Sequence, residues 1–126
     1  LEGWLQLERG HLADARTAIE RAAALAPASP EVQAARGVVA WADGRRPDAE
    51  AAFRAALAAD PRAEVPNRAM ATLLIASGRA PEAEPFVRAA QAASPYRGGL
   101  LAASWLRALD RGPEARALLE DLSRSE

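Results

Sequence analysis

This chain of 126 residues contains no cysteine, no lysine, a single histidine and few aromatics, and it has no long apolar run. Without cysteine there is no disulfide framework and no thiolate chemistry, and the redox compartment stays open, cytoplasm or periplasm alike. One histidine and no cysteine leave no convergent nitrogen and sulfur ligands for a metal. All 16 cations are arginine and they face 17 anions, a formal net charge of −1. That balance argues against nucleic acid or an anionic membrane surface as the main partner, since both call for a basic excess. The lack of lysine fits a GC-rich bacterial genome and runs against the lysine enrichment of hyperthermophiles. No stretch nears the roughly 18 apolar residues of a membrane span. The chain opens on Leu1, so it reads as a piece of something longer, with any leader out of sight.

What is present is alanine. Half the residues are apolar, and alanine, the best helix former and smallest core filler, dominates them. No β-type alternation of useful length occurs, so the expected class is all-α, with helices at close range. A chain of this length buries roughly two-thirds of its unfolded surface and can be stable alone.

The organising stretch is Trp41 to Pro61, WADGRRPDAEAAFRAALAADP. Gly44 can take the left-handed conformation that closes a helix, and Pro47 presets the first turn of the next. Asp48 sits where the helix dipole favours an anion. Ala49, Ala52, Phe53, Ala56 and Leu57 recur at the spacing of one apolar helix face, and Pro61 ends the helix.

The punctuation repeats. Gly10, Gly44, Gly78 and Gly112 stand 34 residues apart. Pro27, Pro61 and Pro95 keep the same step, as do Gly3, Gly37 and Ala71, and the alanines at 15, 49 and 83 and at 22, 56 and 90. Chance in an alanine-rich chain explains the alanines but not the glycines and prolines with them. Such a period is the mark of a repeat architecture.

The period, with Gly37 … Ala49-x-x-x-Phe53 … Pro61, resembles the tetratricopeptide repeat, a helix–turn–helix module. The resemblance covers the whole chain: a first repeat over about 1–29 lacking its opening turn, complete repeats over 30–63 and 64–97, and a shortened, diverged one over 98–126. It implies a right-handed α-solenoid of about eight helices. Small residues at the crossing of the two helices match Gly3, Gly37 and Ala71 in the first and the periodic alanines in the second, as close approach requires. Gln33, Arg36 and Ala40 depart from the large residues the family usually places there, which implies thinner packing.

First helices are expected at about 1–9, 30–43, 65–77 and 97–110, second helices at about 13–26, 47–60, 81–93 and 113–123. Ser29-Pro30-Glu31 is a start signal. Pro85 follows Pro81 by four residues and lacks the N–H that would bond the Pro81 carbonyl. Either the first turn there is distorted or the helix begins later. Gly98-Gly99 weakens the opening of the seventh helix. Trp105 falls 34 residues after Ala71, and the turn after Gly112 counts two residues short. The fourth repeat is therefore expected to pack differently, as a diverged terminal repeat or as a built pocket.

Catalytic signals are lacking: there is no phosphate loop and no nucleophile elbow. His11 lies in a turn, where Arg45 and Arg79 stand in later copies. Asp14, Asp48, Glu82 and Glu114 recur in the first turn of each second helix, a dipole role rather than acid–base pairing. Arg9, Arg45, Arg46, Arg79 and Arg111 crowd the turns, as solvated partners of helix C-termini or as an edge for an anionic partner.

By the resemblance, first helices line an inner wall. Trp4, Leu7, Glu8, Ala34, Val38, Trp41, Arg68, Thr72, Ile75, Ala102, Leu106 and Leu109 would face it, mostly apolar. The expected partner-binding residues are Trp4, Leu7, Val38, Trp41, Arg68, Thr72, Ile75, Leu106 and Leu109. They suit an amphipathic helix or apolar segment. Ala34, Val38 and Thr72 are not the cationic and amide groups with which some family members grip a C-terminal carboxylate. The expectation is a non-catalytic protein-interaction scaffold without cofactor, with no nucleic-acid partner. Two alternatives stand beside it. One is an accessory region of a larger enzyme or bacterial envelope assembly, such as polysaccharide export or a pilus. The other is self-association into a homo-oligomer through the solenoid ends, where Leu118, Leu119 and Leu122 are poorly covered.

Overall fold

The computed structural model describes residues 12–26 and 29–124, and every regular element among them is helical. In order these are α1 (Leu12–Leu25), α2 (Pro30–Ala42), α3 (Arg46–Ala59), α4 (Glu64–Ala76), a 3-10 turn (Ala80–Ala83), α5 (Glu84–Ala93), α6 (Pro95–Ala108) and α7 (Gly112–Arg124). The expected boundaries hold to within a few residues. The expected helix at 1–9 lies outside the described residues. The chain divides into two compact units, Leu1–Pro66 and Asn67–Glu126.

In the first unit, α2 opens as its sequence foretells. The Ser29 hydroxyl accepts the Val32 N–H at 3.4 Å and donates to a Glu31 carboxylate oxygen at 2.7 Å, with Pro30 in the first turn. The Ser29 hydrogen bond holds the Glu31 carboxyl below the usual carboxylate range. The α2–α3 hairpin closes on Phe53, which with Ala49 and Ala56 is fully buried. Phe53 can lie there because Gly37 has no side chain. A Cβ at that position would meet the ring at 2.4 Å. The small residues at the crossing are thus a steric requirement.

The second unit is built around Met70, Leu73, Leu74, Val87 and Trp105, all buried. The two prolines resolve as a combination of the two expectations. Residues 80–83 form a 3-10 turn, and the α-helix proper begins at Glu84. Pro85 supplies no N–H to the carbonyl four residues back, and shorter-range bonding takes over the first turn. The Trp105 indole N–H crosses to this turn and donates to the Ala80 carbonyl at 2.8 Å. The Arg88 guanidinium stands 5.7 Å from the centre of the same ring, within cation–π range.

The helix-closing turns correct the reading of the last repeat. Gly44 and Gly78 have φ of +78° and +75°. The amide after each reaches back to close the helix, Arg45 N–H to Ala40 O and Arg79 N–H to Leu74 O, both at 2.8 Å. In the last hairpin the equivalent bond is Arg111 N–H to Leu106 O at 2.8 Å, and the left-handed residue is Asp110, at φ +60°. Gly112, expected to be the turn glycine, starts α7 instead. The turn is not short, because Ala115 follows Asp110 at the interval by which Ala49 follows Gly44. The two missing residues lie upstream of it. Counted from the turn, Ala103 takes the crossing place of Gly37 and Ala71, and all three are buried. Trp105 takes the place of Val39 and Leu73, at 4%, 5% and 1% exposure. The last hairpin therefore keeps the packing scheme of the others.

Asp110 is also the one described residue other than glycine at positive φ. Asp110→Gly relieves a left-handed L-residue and is expected to stabilise the second unit by about 0.5–1 kcal/mol, read as a higher urea midpoint. No gain would mean that the aspartate side chain stabilises the turn.

Gly98-Gly99 carries the propensity cost of two glycines early in α6, and packing accounts for their presence. Ser94 caps α6, accepting the Arg97 N–H at 3.3 Å, and Pro95 begins it, the same signal as Ser29-Pro30. A Cβ on Gly98 would meet the Ala90 carbonyl oxygen and the Gln91 Cα at 2.4 Å, and one on Gly99 would meet Leu122 at 2.7 Å. Leu118, Leu119 and Leu122 are half-buried, and Leu122 is turned inward over Gly99.

Candidate functional site

Val38 and Trp41 lie one turn apart on α2 and are half-buried. On α4, Arg68, Thr72 and Ile75 are also half-buried, and the Thr72 hydroxyl donates to the Arg68 carbonyl at 2.8 Å. Trp4 and Leu7 lie outside the described residues. Leu106 is a correction: at 9% exposure it belongs to the core, in register with Ala40 and Leu74. Leu109 is half-buried at the C-cap of α6. Ala102 is buried. The two-residue offset of the last repeat causes these misplacements. In turn register, Ser104 and Arg107 are the counterparts of Val38 and Trp41, and both are exposed.

The structure adds what period alone could not. Within the first unit, an open depression of about 380 Å³ lies between α2 and the segment 60–66. Its floor is apolar, with Ala34, Ala35 and Val38 from α2 and Ala63, Val65 and Pro66 from across it. Its other lining residues include three acids, Glu31, Asp60 and Glu64, and no cation. Val65 is one of the few large apolar residues left exposed, at 40%. Ala34 and Val38 were legible as candidates from repeat phase. Ala63, Val65 and Pro66 were not, because a linker and the first turn of the next helix show no periodic pattern of their own.

A second depression in that unit, of about 290 Å³, lies where α1 meets the α2–α3 hairpin. It is rich in charge, but its charges face one another. Arg36 pairs with Glu20 at 3.4 Å, Arg16 with Asp43 at 3.2 Å, and Arg45 with both Asp43 and Asp48, at 3.0 and 3.2 Å. The turn arginines follow one rule: Arg45 grips Asp48, Arg79 grips Glu82 at 2.9 Å, and Arg111 grips Glu114 at 2.9 Å. They are engaged by the acids of their own turns, which weakens the alternative of an edge for an anionic partner. The Arg111 hydrogen bond holds the Glu114 carboxyl below its usual range, and its counterpart raises the Arg111 guanidinium. These exposed pairs order the turns, and solvent screening leaves them little share in stability.

Among the described residues no group of His, Cys, Asp and Glu could hold a metal ion, and no helix is long and apolar enough to cross a membrane. His11 lies outside the described residues.

Two family profiles described as tetratricopeptide repeat match the sequence, one over residues 1–64 and the other over residues 40–103. No characterised protein and no solved structure matches it. Repeats of this kind generally mediate protein–protein interaction and are typically non-catalytic. Helical hairpins closed by left-handed residues at 44, 78 and 110, small residues at their crossings, and two profiles that each span half the sequence agree: the chain belongs to the tetratricopeptide repeat family.

Proposed function

We propose that this chain is a non-catalytic scaffold that binds a partner peptide or helix on the apolar face of its first helices. The observation that carries the reading is the open apolar depression beside α2, whose floor includes Ala34, Ala35, Val38 and Val65. An uncovered apolar concavity favours a partner side chain, because burying a Leu or Val there recovers about 1.5–3 kcal/mol. Trp41, half-buried one turn beyond Val38, extends the same face, and tryptophan is the residue type most often found to dominate binding energy.

The test is selection of peptides from a display library on the chain, followed by titration of those enriched. Val38→Asn and Trp41→Ala are each expected to weaken binding by over about 1 kcal/mol, more than fivefold. Far-UV circular dichroism should be unchanged, since both side chains are only half-buried. Equal affinity for wild type and both variants would sink the reading.

A further inference from the structure

The depression beside α2 has a charge pattern as well as an apolar floor, and the pattern selects a class of partner. The acids at its edge come from three separate places: Glu31 in the first turn of α2, Asp60 at the C-cap of α3, and Glu64 in the first turn of α4. No arginine lines it, although the chain as a whole is nearly neutral. The Ser29 hydroxyl donates to the Glu31 carboxylate at 2.7 Å and lowers its pKa, and Asp60 Oδ1 accepts the Arg62 N–H at 3.1 Å. The acids do not form a cluster able to hold a metal ion, so a single point cation is not the matching ligand. Several cations spread around an apolar centre are. The neighbouring depression is lined by acids and arginines together.

We propose that the occupant of this depression is a basic amphipathic segment of a protein partner, an aliphatic side chain seated on Val38 and Val65 with flanking arginine or lysine facing Glu31, Asp60 and Glu64. This rests on the scaffold reading above and narrows it. The floor provides the burial, and the acidic edge decides which amphipathic segments are accepted, since a negative segment would meet like charge at Glu31 and Asp60. Exposed carboxylates act through solvent, so the preference depends on salt. The screening length falls from about 30 Å at 0.01 M to about 3 Å at 1 M.

Three fluorescein-labelled peptides of about 18 residues, five helical turns, test it. They share one leucine spacing and carry arginine, glutamine or glutamate at the flanking positions. Anisotropy titrations at low salt are expected to rank arginine above glutamine above glutamate, with about tenfold or more between the extremes, a gap that collapses at 1 M salt. In the Glu31→Gln, Asp60→Asn double variant the arginine peptide should lose several-fold in affinity while the glutamine peptide is unchanged. Val38→Asn should weaken all three. If the three peptides bind alike and all are weakened by Val38→Asn, the basic-partner assignment is overturned and the scaffold reading stands. If none binds, or Val38→Asn changes nothing, the depression is not the docking place and the assignment falls. The scaffold reading then rests on the library-selected peptides alone.

Discussion

Phe53→Ala is expected to destabilise the first unit by about 3–5 kcal/mol, the range for deleting a fully buried phenylalanine. The ring has no exposure and packs against Gly37 of α2, so its loss leaves a cavity inside the α2–α3 hairpin. Gly37 provides the sharper half of the experiment. Helix propensity alone says that Gly37→Ala in mid-helix gains about 1 kcal/mol. The packing says the reverse, because the new methyl would stand 2.4 Å from the Phe53 ring. Overpacking of that kind costs about 1–3 kcal/mol, so Gly37→Ala should lower stability. In a Phe53→Ala background the obstacle is gone, and the same substitution should become neutral or favourable. Urea unfolding of the four proteins, followed at 222 nm, measures the coupling. Additive effects would show that the ring and the glycine do not touch. A broad or biphasic transition would call for fitting the repeats as linked units rather than one two-state change.

Gly98→Ala is expected to be worse than Gly37→Ala, for a reason found in what the methyl meets. At Gly98 the obstacles are the Ala90 carbonyl and the Gln91 Cα, both at 2.4 Å and both main chain of α5. A ring can tilt, but a helix backbone moves only as a body. The loss should reach at least about 3 kcal/mol, the top of the overpacking range, with α5 and α6 forced apart. Gly99→Ala is the control. Its Cβ would meet only the branched end of Leu122, which is half-buried and can change rotamer. That change should fall within about 1 kcal/mol of neutral, the helix-propensity gain offsetting the repacking. Equal effects at positions 98 and 99 would contradict the close approach of α5 and α6.

Much of the fold is legible locally. Ser29-Pro30-Glu31 starts α2 because a hydroxyl cap and a preset φ act within one turn, and Gly44 ends it because glycine is unpenalised at positive φ. The last repeat is misread for the same kind of reason. Gly112 carries the stronger local signal, so it hides Asp110, which bears the left-handed turn two residues earlier. The positive φ of Asp110 and the Arg111 N–H to Leu106 O bond together identify the turn, and that register moves Leu106 from candidate surface to core. The Ser94-Pro95 start of α6 was available in the sequence and was obscured by the glycine pair behind it.

Amino-acid order alone determined that the chain is helical, that it repeats at 34 residues, and where most helices begin and end. Those properties depend on φ and ψ preferences and on hydrogen bonds within a few residues. Tertiary structure alone decided that Gly98 faces a backbone carbonyl, that Trp105 bonds Ala80, and that Val65 closes an acid-edged hollow against Val38. Each of these joins residues more than seven positions apart, where no local preference acts and packing selects which surfaces meet.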